Sequence, residues 1–132
     1  MADTLTFELV SPERKVASVE ATAVQIPGMN GDFTAMPNHA PFLTTLRPGV
    51  VKVTAGAETA EYVVTGGFAE ISPTAATILA EDAVLLPEAD ASMLEGHVAR
   101  AERDLADAPP ELRMSAGQRV RDLITLRTQL GG

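Results

Sequence analysis

The sequence predicts a mainly β protein with a C-terminal α appendage: an antiparallel sandwich or flattened barrel over residues 1–87, then an antiparallel two-helix hairpin over residues 88–132. Three observations carry this. Before Pro87 the apolar residues alternate with period two in short runs, and after it they recur every three or four residues; these are the side-chain periods of strand and helix. Pro37, Pro41, Pro48 and Pro73 fall between the short runs, where no ladder N–H is required of them. No segment before Pro87 keeps a helical period over a window of about eleven residues, and many short strands without a helical insert pack as a sandwich or flattened barrel.

Taken in order, Leu5, Phe7 and Leu9 alternate with Thr4, Thr6 and Glu8 and present one apolar face. Ser11-Pro12-Glu13 breaks the run. Val16 to Ile26 is β-branched and alternates loosely, enough for one bent strand or two. Pro27-Gly28-Met29-Asn30-Gly31-Asp32 is a turn, with glycines that reach the positive φ other residues resist. Further strands are expected over 33–36, 42–46, 50–55, 58–64, 68–71, 74–80 and 83–86. Gly56-Ala57 and Gly66-Gly67 supply turns or a bulge.

After Pro87, Leu94, Val98, Ala101 and Leu105 form one narrow apolar stripe. Asp90 or Ser92 caps its start, and Ser92 with Glu95 matches a capping box. Ala108-Pro109-Pro110 ends the helix, because a proline inside it lacks the N–H. A second stripe, Leu112, Ala116, Val120, Leu123, Ile124 and Leu130, runs to Gly131-Gly132. The short connection makes the two helices antiparallel neighbours.

The chain of 132 residues suits one domain, or one domain with an appendage, and needs no staples for its core. Ten Lys and Arg against eighteen Asp and Glu give a net charge of −8, which argues against a nucleic acid partner. The charge is uneven. Six acids (Glu88, Asp90, Glu95, Glu102, Asp104, Asp107) outnumber Arg100 and Arg103 on the first helix, whereas the second carries Arg113, Arg119, Arg121 and Arg127 against Asp122. Opposite signs favour pairing of the helices and leave the last one a basic edge. Arg119 and Arg127 flank its apolar stripe and Arg121 lies opposite. Met1-Ala2-Asp3-Thr4 has neither a charged nor an apolar leader segment, and no apolar run reaches the roughly 20 residues of a membrane span; the expectation is a soluble intracellular chain.

The chemical inventory is thin. There is no Cys, so thiolate zinc sites, disulfides and Cys nucleophiles are excluded. His39, between Pro37 and Pro41, reads as a turn residue that packs its ring and bonds a backbone group. His97 lies beside the first helical stripe, two residues from Glu95, so no Glu-x-x-His metal pair forms. Gly28-Met29-Asn30-Gly31 lacks the Gly-Lys-Ser/Thr ending of a phosphate loop and opens no helix. Glu81-Asp82 reads as a solvated strand end with its two carboxylates on opposite faces. No nucleophile, base and orienter come together. The residues describe a binding or coupling module with no catalytic, metal or cofactor site.

Six segments then occur in order: Phe7-Glu8-Leu9-Val10-Ser11-Pro12-Glu13; Val24-Gln25-Ile26-Pro27-Gly28 with Gly31-Asp32-Phe33; Pro37-Asn38-His39-Ala40-Pro41-Phe42-Leu43-Thr44; Leu46-Arg47-Pro48-Gly49; Gly66-Gly67-Phe68-Ala69-Glu70; and Thr77-Ile78-Leu79-Ala80-Glu81. Over residues 5–86 this closely resembles the epsilon subunit family of the rotary F-type ATP synthase, the counterpart of mitochondrial delta. The hairpin is similar to that family more in architecture than in sequence.

The resemblance implies a ten-stranded flattened β-sandwich followed by two helices. It implies a non-catalytic subunit of the rotating central stalk, bound to the gamma subunit, resting on the membrane rotor ring of c subunits and coupling ring rotation to the catalytic head. It also implies a peripheral place on the cytoplasmic face of a bacterial inner membrane, in a proton-translocating synthase. By position, Gly28, Met29, Asn30, Gly31 and Asp32 match the loop that touches the rotor ring, and Asp32 stands where the family often has Glu. His39 and Ala40 match the segment facing gamma and the rotor, while Phe42 and Leu43 read as core. Members that bind ATP on the hairpin open it with Ile/Leu-Asp-x-x-Arg-Ala; here Asp90 survives but Met93 holds the Arg position. Without that cation a phosphate loses its charge-assisted fork, so the motif is degenerate and ATP binding is expected to be weak or absent. In some bacteria the hairpin also inhibits ATP hydrolysis through basic residues that meet a catalytic beta or alpha subunit, and Arg113, Arg119, Arg121 and Arg127 are the candidates for such contacts. Pro109-Pro110 and a short second helix limit their reach. The alternative from another class is a free-standing intracellular nucleotide-sensing β-sandwich.

Overall fold

A computed structural model describes residues 3–131, which divide into two compact units at the Pro87–Glu88 junction. The first unit holds ten strands: β1 (Leu5–Ser11), β2 (Arg14–Ala21), β3 (Ala23–Gly28), β4 (Gly31–Ala35), β5 (Phe42–Leu46), β6 (Gly49–Ala55), β7 (Glu58–Val64), β8 (Gly67–Ile71), β9 (Ala75–Ala80) and β10 (Ala83–Leu85). They form one hydrogen-bonded sheet in the order β10-β7-β6-β3-β5-β8-β9-β1-β2, with β4 paired to β3. The sheet doubles over on itself. Phe7 on β1 and Tyr62 on β7 are far apart in strand order, yet their rings stand 6.0 Å apart in the core. The architecture is therefore the sandwich-like, mainly β fold with a helical hairpin that the periodicity predicts.

Strands β1, β6, β8 and β9 bury alternate residues, as period two requires, and β3 does so over its first four residues. Leu5, Phe7 and Leu9 on β1, Val24 and Ile26 on β3, Val51 and Val53 on β6, Ala69 and Ile71 on β8, and Ala76 and Ile78 on β9 all face the interior. The pairing departs from the sequence expectation at one place: β1 and β9 run parallel, with Phe7 opposite Ala76 and Leu9 opposite Ile78. A parallel pair needs a long connection, and the seven intervening strands provide it. Pro27 lies inside β3 rather than in the turn. Glu81 and Asp82 sit in the bend between β9 and β10, not at a strand end.

The second unit holds α1 (Glu95–Asp107) and α2 (Arg113–Gln129), each preceded by a short 3-10 turn, at Ala91–Leu94 and at Pro110–Leu112. The predicted Ser92–Glu95 capping box does not form. Asp90 caps the 3-10 turn instead, its Oδ1 accepting from the Ser92 backbone N–H at 2.9 Å and from the Ser92 hydroxyl. The Ser92 hydroxyl is thereby engaged as a donor to Asp90, and α1 starts at Glu95 with no side-chain cap. Leu94, Val98 and Ala101 are buried as the stripe requires, with Leu105 half-buried. On α2 the buried set is Gly117, Val120, Asp122, Leu123 and Leu126. Leu112, expected to open that stripe, is exposed because it belongs to the 3-10 turn and is out of phase with the helix.

Candidate functional site

The β3–β4 hairpin carries the first candidate surface. Gly28 pairs with Gly31, leaving Met29 and Asn30 as a two-residue loop. A two-residue loop needs backbone freedom to match the twist of the strands, and Gly31 supplies it at φ 129°. Gly28 is buried, and a Cβ there would meet the Gly31 carbonyl at 2.8 Å. Met29, Asn30, Gly31 and Asp32 are all exposed. The tip thus presents one apolar side chain, one amide and one carboxylate on a rigid base. Its base is tied to β5, since the Met29 N–H donates to the Thr45 carbonyl at 2.9 Å.

The loop between β4 and β5 is the second. Asn38 occupies the left-handed region at φ 71°, which Asn tolerates better than most residues, and its N–H donates to the Pro73 carbonyl at 2.7 Å. His39 Nδ1 lies 2.6 Å from the Ala40 carbonyl, and its half-buried ring stands 6.4 Å from that of Phe33. This is the ring-packing, backbone-bonded turn histidine expected from its two flanking prolines. Ala40 is exposed beside it.

The third surface was not visible in the sequence. Phe42 and Leu43, expected in the core, are 44% and 70% exposed. Phe42 sits at the inner-face position opposite Ile71 but at the sheet's end, where it meets Phe33 edge-on at 5.3 Å. Leu43 points to the outer face. There the register aligns Thr45, Phe68, Leu79 and Val10 in one row across β5, β8, β9 and β1, and Leu43, Glu70, Thr77 and Glu8 in the next. Phe68 and Leu79 are both about half exposed. Together with Val10 and Pro12 they line an open groove of about 370 Å³. Alternation alone says which residues share this face; it does not say whether anything covers it. A contiguous apolar patch on an otherwise charged surface marks a docking site more than a lone exposed Leu does.

On the hairpin, Glu95 at the start of α1 and Arg127 at the end of α2 approach to 3.8 Å, which sets the helices antiparallel. Arg121 donates to the Gln118 side-chain oxygen at 3.2 Å, and Gln118 donates to Asp122 at 2.9 Å. Arg113 is exposed at the first turn of α2, and Arg119 is half-buried. The four arginines therefore do not form one cluster; Arg127 is turned toward α1. Asp90 is held below the ordinary carboxylate value, first by the Ser92 hydroxyl and then by the Ser92 N–H. Its Oδ1 is thus already committed to the turn, and the neighbouring Met93 is half-buried. Among the described residues no three His, Asp or Glu side chains converge to hold a metal ion, and no helix is long and apolar enough to cross a membrane.

Residues 4–86 match the family described as ATP synthase, Delta/Epsilon chain, beta-sandwich domain. The ATP synthase epsilon chain of Cereibacter sphaeroides is 46% identical over 131 residues, covering 99% of both chains. The chain belongs to the ATP synthase delta/epsilon family. Its fold is also that of two solved structures at lower identity. A chain of the Euglena gracilis mitochondrial ATP synthase, in a structure of OSCP, F1 and c-ring, superposes with a TM-score of 0.72 at 20% identity, covering 98% of this chain and 83% of that one. A chain of the central stalk and c-ring of the Tetrahymena thermophila mitochondrial ATP synthase gives 0.62 at 14% identity, covering 93% and 96%. The family match ends at the β unit, while the epsilon-chain relative runs on through the hairpin.

Proposed function

We propose that this chain is a non-catalytic central-stalk subunit of a proton-translocating F-type ATP synthase, coupling rotation of the c-subunit ring to the catalytic head through gamma. The observation that carries the reading is the end-to-end identity with an epsilon chain. The geometry supports it. The tip Gly28–Asp32, exposed over its residues 29–32, is the ring contact, with the Asp32 carboxylate meeting basic groups on the ring's polar loops. His39 and Ala40 face gamma and the rotor, and the neighbouring apolar rows of β5, β8 and β9 supply area that gamma covers. The subunit lies peripherally on the cytoplasmic face of the bacterial inner membrane.

The hairpin is the regulatory element in this reading. Arg113, Arg119 and Arg121 offer charge to a beta or alpha subunit, and Arg127 joins them only by leaving Glu95. Helix α2 is 17 residues, about 25 Å at 1.5 Å per residue, which limits how far the basic edge reaches. ATP binds weakly or not at all, since Met93 offers no charge and Asp90 is occupied by Ser92. The test is an ATPase assay of the reconstituted head with the full chain, with residues 1–87 only, and with neither. A tight stoichiometric complex with gamma is expected; failure of the full chain to co-purify with gamma overturns the reading. Unchanged hydrolysis on removal of residues 88–132 removes the regulatory role alone, and micromolar ATP affinity by titration calorimetry removes the claim about nucleotide.

A further inference from the structure

The β3–β4 tip holds a chemical feature that its role as a contact loop does not require. Asn30 is followed by Gly31, and the two sit at the exposed end of a two-residue loop. We propose that Asn30 is a site of spontaneous deamidation in the folded protein, closing on the Gly31 backbone nitrogen and converting the tip from one carboxylate to two.

The reaction needs no partner beyond solvent water. The Gly31 backbone nitrogen loses its proton and bonds to the Asn30 side-chain carbonyl carbon. The bond from that carbon to the amide nitrogen breaks, and the nitrogen leaves as ammonia with the proton. Water then opens the resulting succinimide at either carbonyl, giving Asp or isoaspartate at position 30. Nothing is oxidised or reduced.

Three observations place it here. Gly31 has no side chain to shield its nitrogen, and no atom beyond its two chain neighbours lies within 4 Å of where a Cβ would stand. Asn30 is exposed, and no hydrogen bond within the described residues holds its carboxamide. The loop is a surface tip, where local opening costs least. The feature opposing closure is the pairing of Gly31 with Gly28, the last rung of the β3–β4 ladder; opening it frees Gly31 while Gly28 keeps its pairing with Leu46 on β5. Asn38 is the internal comparison: it precedes His39, whose side chain crowds the attacking nitrogen, and the His39 N–H donates to the Met36 carbonyl at 3.1 Å. These are the two asparagines of the chain.

The product changes what the tip presents. Aspartate adds a charge two residues from Asp32, and isoaspartate also lengthens the backbone inside a two-residue loop. Any effect on ring contact rests on the function proposed above; the conversion itself does not, and the two are measured separately. The full chain is incubated in ¹⁸O-labelled water at mildly alkaline pH, with circular dichroism confirming that it stays folded, then digested and analysed by mass spectrometry. The expected result is loss of the Asn30 carboxamide with one labelled oxygen taken up, Asn38 remaining intact, and no such change in Asn30→Gln. Equal conversion at both asparagines, no conversion, or conversion only after unfolding in urea overturns the proposal.

Discussion

Gly67 opens β8 beside the apolar outer face, and replacing it by Ala tests the described geometry directly. It stands at φ 138°, outside the range that L side chains adopt readily. A Cβ built there lies 2.1 Å from the Leu79 carbonyl oxygen and 2.9 Å from the Ala80 Cα. Both are backbone atoms of the adjacent strand β9, so no rotamer change relieves the contact. Restoring even 3.0 Å to the Leu79 oxygen moves the end of β9 away from β8, where Gly67 pairs with Ala80 and the Glu81 N–H donates to Gly66 at 2.9 Å. The strained φ costs about 1–3 kcal/mol. Losing one or two ladder hydrogen bonds costs about 1 kcal/mol each, and the stiffer unfolded chain returns about 0.4–1 kcal/mol. The net expectation is a loss of about 3 kcal/mol. Gly56→Ala is the control: φ is 65° but nothing beyond its chain neighbours lies within 4 Å of its Cβ, so strain of about 1–2 kcal/mol applies, less the same return of about 0.4–1 kcal/mol from the unfolded chain. The readout is urea unfolding followed by Tyr62 fluorescence, since Tyr62 is the single Tyr in a chain without Trp and is buried in the sheet core. A Gly67→Ala loss below about 1 kcal/mol, or a Gly56→Ala loss as large as that of Gly67→Ala, refutes the reasoning.

Four further outcomes follow from the same structure. Phe68→Ser and Leu43→Ser, both at exposed positions, leave Tyr62-monitored unfolding within about 0.5 kcal/mol but weaken capture of gamma; full retention of the complex by the double variant contradicts the docking face. Leu123→Ala empties a fully buried site on α2 and costs the hairpin about 2–5 kcal/mol, read as lost helical ellipticity on denaturant titration. Asp32→Lys reverses the charge of the exposed tip and lowers association with the assembled ring, with the largest effect at low ionic strength; unchanged association excludes Asp32 as a contact. Asp90 is held below its ordinary value of 3.8, so its capping contribution is complete above that pH and is lost as the pH falls through the depressed value. NMR titration of the Ser92 amide should move below pH 3.8 in the wild type and not in Asp90→Ala, and a midpoint above 3.8 contradicts the cap.

How much of this was legible in the sequence depends on the kind of question asked. Strand limits were readable because Pro12, Pro37, Pro41, Pro48 and Pro73 and the glycine pairs sit where ladders end. The β3–β4 turn was readable because Gly28 and Gly31 flank just two residues. The parallel pairing of β1 with β9 was not, since period-two alternation is the same for either direction. Leu112 was misjudged because it lies in the 3-10 turn that precedes α2, out of phase with the helix. Phe42 and Leu43 were misjudged for a different reason: they are apolar residues in a true strand, and only register shows that one lies at the sheet's open end and the other on its outer face.

That last misjudgement bears on function. An apolar residue placed outward costs solubility without helping the unit fold, so a single one carries no message. Here the outward positions of neighbouring strands hold Leu43, Phe68, Leu79 and Val10 in two adjacent rows. The same rows, followed onward through Glu70, Thr77, Glu8, Lys15 and Ser18, turn polar and reach the Glu8–Lys15 pair at 3.4 Å on β1 and β2. A one-residue slip in register would bury these side chains and expose the Ala69, Ile71 and Ile78 set, so the face is fixed by the same alternation that builds the core. In the function proposed above, its apolar end is the part that gamma covers and its polar end is the part that stays wet. The boundary between those ends runs past Glu70 and Thr77. Moving that boundary by Glu70→Leu should broaden the patch, strengthen self-association at the expense of solubility, and leave the sheet's stability nearly unchanged, a result sedimentation velocity reads directly.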